Sequence, residues 1–193
     1  MCGIVGHVGP LSPSDRSLTV LMDGLGRLEY RGYDSAGVAL VGPEGLDVVK
    51  SAGKLDNLRA ALAENPPAPA VSGIGHTRWA THGGPTTENA HPHRAGNLAV
   101  VHNGIIENFR PLRAEVEVAG RELVSATDTE VVAQLLDLDF TARLEATEKE
   151  GTALTHDVVA DLLVESMLAV TKRLEGAFSL LAVTPLAPGV IVA

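Results

Sequence analysis

Aromatic side chains make up only 3% of this chain, so its interior must be built from Leu, Val, Ile and Ala. No apolar run approaches the roughly 20 residues that a membrane-spanning helix requires. Basic residues are also few: 15 Lys and Arg stand against 24 Asp and Glu, a formal charge of -9. Nucleic acid and anionic membranes both demand a basic face, so neither is expected as a partner. The opening MCGIVGHVG has no basic segment and no long apolar stretch, unlike a secretory signal. A single cysteine excludes an internal disulfide and fits a reducing, cytoplasmic setting. It stands at position 2, a strange place for a packing residue.

The 193 residues, 45% hydrophobic and 20% charged, are ordinary for one soluble domain spanning 1–193. Gly3–Val8 reads as a buried strand. Ser12 and Pro13 supply a cap and a first helical position for a helix with the stripe Leu18, Leu21, Met22, Leu25 and Leu28. Gly24 and Gly26 interrupt that helix, which implies close packing against a neighbour. Ala36–Val41 and Leu46–Ala52 flank a Gly42-Pro43-Glu44-Gly45 turn and read as a hairpin. A short helix over Leu55–Ala63 precedes a strand at Val71–Thr77 and a long loop, Arg78–Asn97.

Leu98–His102 reads as a strand ending at the sharp Asn103-Gly104. Helices are expected over Pro111–Ala119 and from a Thr127 or Asp128 cap through Asp139. Glu145–Gly151 reads as a charged surface loop, followed by a helix burying Val159, Leu162, Leu163, Met167, Val170 and Leu174. Strands at Phe178–Thr184 and Val190–Ala193 finish the chain, and the final VIVA run reads as cut from something longer. Strands with interspersed helices and hairpin-like connections predict α+β layers over a doubly wound sheet.

Cys2 becomes the first residue once Met1 is removed, as it generally is before a small residue. An α-amine has a reference pKa of about 8. Its neutral form is a usable base at physiological pH, and pairing a nucleophile with an N-terminal amine is a known activation device. The plainer alternative is a small buried residue placed there by accident. His76-Thr77-Arg78-Trp79-Ala80-Thr81-His82-Gly83 lies at a strand-to-loop transition. Arg78 can clamp a carboxylate through two parallel hydrogen bonds, or simply pack its stem on the indole of Trp79.

In His102-Asn103-Gly104 the Asn-Gly pair is either a turn or a source of two N–H donors for a developing oxyanion. Asp128 is either a helix cap or a partner for a cationic ligand group. His76, His82, His91, His93 and His102 crowd together in sequence and offer a rival, metal-based hydrolase. Against it stand the missing His-Glu-x-x-His helix and second cysteine. Histidines hydrogen-bonded in a polar loop are the alternative. No cofactor is called for.

CGIVG at 2–6, LEYRGYDSAG at 28–37, HTRWATHG at 76–83, NAHPH at 89–93, HNGIIEN at 102–108 and TDTE at 127–130 together resemble the glutaminase domain of the glucosamine-6-phosphate synthase family, class II (N-terminal nucleophile) glutamine amidotransferases. The six motifs keep the family's order and span essentially the whole chain. Tyr33 and Trp79 favour this family over the amidophosphoribosyltransferases and asparagine synthetases, which also begin Cys-Gly-Ile.

The resemblance implies a four-layer αββα sandwich of the N-terminal nucleophile hydrolase type, with L-glutamine as substrate. It implies Cys2 as nucleophile with its α-amine as base, and Asn103 and Gly104 as the oxyanion hole. Arg78 would hold the substrate α-carboxylate and Asp128 its α-ammonium, with Thr81 and His82 adding contacts and Trp79 on a closing loop. Family members continue into a C-terminal sugar isomerase domain, which this chain lacks, and a homodimer is left open. A catalytically silent module that binds glutamine is the competing reading from another class.

Overall fold

The computed structural model describes residues 2–32, 34–80 and 83–193. In chain order the elements are β1 (Gly3–Val8), α1 (Arg16–Leu28), a 3-10 turn (Glu29–Arg31), β2 (Ser35–Gly42), β3 (Gly45–Ala52), α2 (Leu55–Glu64) and β4 (Ser72–Arg78). There follow β5 (His93–Ala95), β6 (Leu98–Ile106), α3 (Phe109–Val118), α4 (Asp128–Lys149), α5 (His156–Thr171) and β7 (Gly176–Val183). One antiparallel sheet has the order β1-β4-β2-β3, and the other β5-β6-β7.

The two-residue period of a strand sorts side chains into layers. On β2, Val38 and Leu40 point toward Leu21, Leu25 and Leu58 of α1 and α2, while Ala39 and Val41 face the second sheet. On β6, Val100 joins the core under α4 and α5, while Ala99 and Val101 face the first sheet. Because both faces are covered, β2 is buried at every position and reads as a continuous apolar run. The result is helices, sheet, sheet, helices: the αββα sandwich that was expected. Phe140 is the one Phe, Tyr or Trp among the described residues that is fully buried; burying such a side chain contributes roughly 1.5–3 kcal/mol.

Several local readings hold. The hairpin of β2 and β3 closes as Gly42 opposite Gly45. Gly24 packs against the strand below: a Cβ there would lie 2.8 Å from both Val5 methyls.

Others are corrected. α1 starts at Arg16 and not at Pro13, because Ser14 pairs with Ala70 in an isolated bridge; its cap, Asp15, makes no side-chain hydrogen bond. α4 runs ten residues past Asp139, so Glu145–Lys149 is its last turns and not a loop. Ala, Glu and Lys are strong helix formers, and Glu145 and Lys149 pair at i,i+4. The Val190–Ala193 segment makes a single bridge, Val192 to Ala182, and no strand. A short strand, β5, interrupts the long loop expected at Arg78–Asn97. Among the described residues no helix is long and apolar enough to cross a membrane.

Candidate active site

Strand register delivers Cys2 to its neighbours. β1 pairs with β4 as Gly3 opposite Thr77, so one further step brings Cys2 beside Arg78 and Trp79. The Trp79 N–H donates to Cys2 Sγ at 3.3 Å, and the sulfur lies 3.6 Å from the Trp79 carbonyl. The Cys2 carbonyl accepts from Arg31 Nε and from Asn103 Nδ2, each at 3.3 Å. The thiol is thus held by the Trp79 main chain, while the Cys2 carbonyl is tied to the opposite sheet through Asn103.

Asn103 and Gly104 do not turn the chain. β6 continues through both to Ile106, with Gly104 opposite Phe178 of β7. Gly104 has φ +127°, and a Cβ there would sit 2.1 Å from the Ala177 carbonyl oxygen. Only glycine allows the strand to pass β7 in that conformation. The turn propensity of Asn-Gly is overridden by eight paired positions between β6 and β7.

Asp128 opens α4, and Thr127 is the cap: its side chain accepts from Glu130 N. The Asp128 carboxylate is buried, accepts the Ile106 N–H at 2.9 Å, and lies 3.8 Å from His102 Nδ1. The helix N-terminus favours its negative charge. Arg78 ends β4 with its guanidinium buried. It donates to the carbonyls of Gly84 at 3.1 Å and Gly83 at 3.2 Å, and lies 3.7 Å from Asp34. Asp34 also accepts a short hydrogen bond from the Ala80 N–H, so it braces both sides of the turn after Arg78.

Cys2, Arg78, Trp79, Asn103, Gly104 and Asp128 all line one cleft of about 710 Å³. Thr81 and His82, like Met1 and Tyr33, lie outside the described residues. The sequence reading assigned no role to Arg31, Asp34 or Thr129. Arg31 and Asp34 stood inside the LEYRGYDSAG motif, and Thr129 inside TDTE. That placement was the only signal, since neither burial nor partners can be read from a motif.

His76 and His102 sit on β4 and β6, where strands were expected, whereas His93 lies on β5 inside the expected loop; all three are buried together with His91. His76 stacks on His91 with ring centroids 4.3 Å apart, and His91 meets His93 edge-on at 4.8 Å. Burial pushes His76 down to about 4 and His91 and His93 well below their ordinary value. Thr129 Oγ1 joins His91 Nε2 at 2.7 Å to His102 Nδ1 at 2.9 Å, directly beneath Asp128. Among the described residues no three His, Cys, Asp or Glu side chains are grouped to hold a metal ion.

The family described as glutamine amidotransferase domain matches residues 76–193. The chain belongs to that family. Over its whole length this amidotransferase domain is 57% identical to the glutamine–fructose-6-phosphate aminotransferase (isomerizing) of Streptomyces coelicolor, of which it spans 28%. It is 51% identical, again over its whole length, to the protein of the same name from Mycobacterium tuberculosis, of which it spans 29%. Two solved structures share its fold at 27% identity. One is described as the allosteric regulatory enzyme of purine biosynthesis, with a TM-score of 0.69 over 96% of this chain and 36% of the other. The second is the glutamine phosphoribosylpyrophosphate amidotransferase of B. subtilis, with a TM-score of 0.62 over 95% and 35%. The amidotransferase domain therefore has the sandwich of the N-terminal nucleophile type.

Proposed function

We propose that this domain hydrolyses the side-chain amide of glutamine through a thioester on Cys2. The observation that carries the reading is the convergence of Cys2, Arg78, Asn103, Gly104 and Asp128 on one cleft, in a chain of the amidotransferase family. The Arg78 guanidinium binds the substrate α-carboxylate and Asp128 its α-ammonium, which leaves the side-chain amide facing the sulfur. Cys2 Sγ adds to the amide carbon and its proton passes to the α-amine freed by loss of Met1. Asn103 Nδ2 and the Gly104 N–H hold the oxyanion. The protonated amine then gives its proton to the departing nitrogen, ammonia leaves, and water cleaves the thioester to glutamate. Trp79, 48% exposed at the rim, belongs to the loop that closes over the substrate, and Thr81 and His82 add substrate contacts in this proposal.

Residues 1–193 act as one unit in this reading, because β1, from the chain start, pairs along its length with β4, whose last three residues open the family match. The names of the relatives support one further step, in which the ammonia passes to fructose 6-phosphate within a longer protein. We place that step on a C-terminal isomerase domain in the cytoplasm, and propose a homodimer as its assembly.

The test is glutamate and ammonia release by the purified chain, with the state of Met1 read by mass spectrometry of the intact protein. Processed chains should turn over glutamine, and a glutamine-mimicking electrophile should place one label on Cys2. Full activity with Met1 attached would overturn the proposed base. Saturable glutamine binding with no ammonia from processed chains would leave a binding module in place of an enzyme.

A further inference from the structure

We infer that His76, buried behind the cleft, is a positioning residue that aims the Asn103 side-chain amide at the reacting carbonyl. The inference rests on Asn103 acting as an oxyanion donor. His76 Nε2 lies 2.9 Å from the His102 carbonyl oxygen and 2.9 Å from Asn103 Oδ1. A backbone carbonyl only accepts, so Nε2 must carry the proton. The Asn103 atom facing that N–H must then be the oxygen, which turns Nδ2 toward Cys2, where it donates to the main-chain carbonyl. The amide orientation, otherwise an arbitrary choice between two flips, follows from chemistry alone.

Nothing else about the ring competes with this tautomer. His76 is fully buried, and its Nδ1 has no hydrogen-bond partner among the described residues. An unpartnered lone pair is better tolerated there than an unpartnered N–H. Stacking on His91 keeps the ring in plane. Burial holds the side chain neutral across physiological pH, so the single proton stays on Nε2. A doubly protonated ring would place a charge in the buried layer between the two sheets, which burial disfavours.

The experiment compares His76→Gln with His76→Asn in the processed chain. The amide nitrogen of Gln reaches the place of Nε2, whereas that of Asn reaches only the place of Nδ1. His76→Gln should keep kcat within about threefold. His76→Asn should lose kcat by tenfold or more, up to the roughly 10²–10³ of an absent oxyanion donor. KM for glutamine should stay within about threefold in both, because the contact strengthens only in the transition state. In the Asn103→Ala background His76→Asn should cost nothing further.

Equal kcat in the two His76 variants, or an additive loss with Asn103→Ala, overturns the inference. Absence of turnover in the unmutated processed chain overturns the parent reading instead. Nitrogen-15 spectra of histidine-labelled protein need no variant. They should show His76 protonated on Nε2 alone between pH 6 and 8, and a proton on Nδ1 would overturn the assignment.

Discussion

Asn103 Nδ2 donates to the Cys2 main-chain carbonyl across 3.3 Å, joining the start of the first sheet to the middle strand of the second. An amide nitrogen carries two hydrogens, so this bond leaves Asn103 one further N–H to offer. Asn103→Ala should therefore lower kcat roughly 10²–10³-fold while changing KM for glutamine far less. Steady-state glutaminase kinetics read both constants. A loss confined to KM would remove Asn103 from the oxyanion hole.

Arg78 offers a different signature. Arg78→Lys keeps the charge but loses the planar fork that reaches Gly83, Gly84 and a carboxylate at once. KM should rise roughly 10–100-fold, the equivalent of about 1.5–3 kcal/mol for a charge-assisted hydrogen bond. Binding of glutamate, which shares the α-carboxylate, should weaken in parallel by calorimetry.

Gly104→Ala should act on stability as well as on turnover. The methyl would meet the Ala177 carbonyl at a φ that other residues rarely adopt. Strain and overpacking of that kind cost about 2–5 kcal/mol together. Thermal denaturation followed by circular dichroism should show a drop in midpoint of roughly 4–20 degrees.

Stability should also follow pH through the buried histidines. Their folded pKa values lie below the unfolded ones, so the unfolded chain binds more protons in the interval between. The contribution is fully present above about pH 6.5 and is lost as pH falls toward the folded value, about 4 for His76. His76 alone accounts for about 3 kcal/mol over that window. Midpoints should hold between pH 8 and about pH 6.5 and fall from there to pH 5, less steeply in His76→Gln.

The layers were legible because strand alternation is a local property. The run from Ala36 to Val41 carries its own two-sided burial, and Gly24 announced its close contact with Val5. What escaped was set by distant partners. Asn103-Gly104 looks like a turn until β7 is paired beside it. Ser12 and Pro13 look like a helix start until Ser14 bridges to Ala70. His91 and His93 look like loop residues because their concealment depends on Thr129 and on the neighbouring histidines. The motifs named the residues around the cleft and contained Asp34 and His76, but the bracing roles of those two came only from packing.

The tie between Cys2 and Asn103 has a corollary for partial denaturation. Each sheet, peeled from its companion, would retain its own strands and helices yet hold only one half of the pair. Turnover would then report whether the facing leaves are pressed shut. Under gentle urea, ammonia release should fade before the helical signal does, with the cleft as the first casualty of delamination.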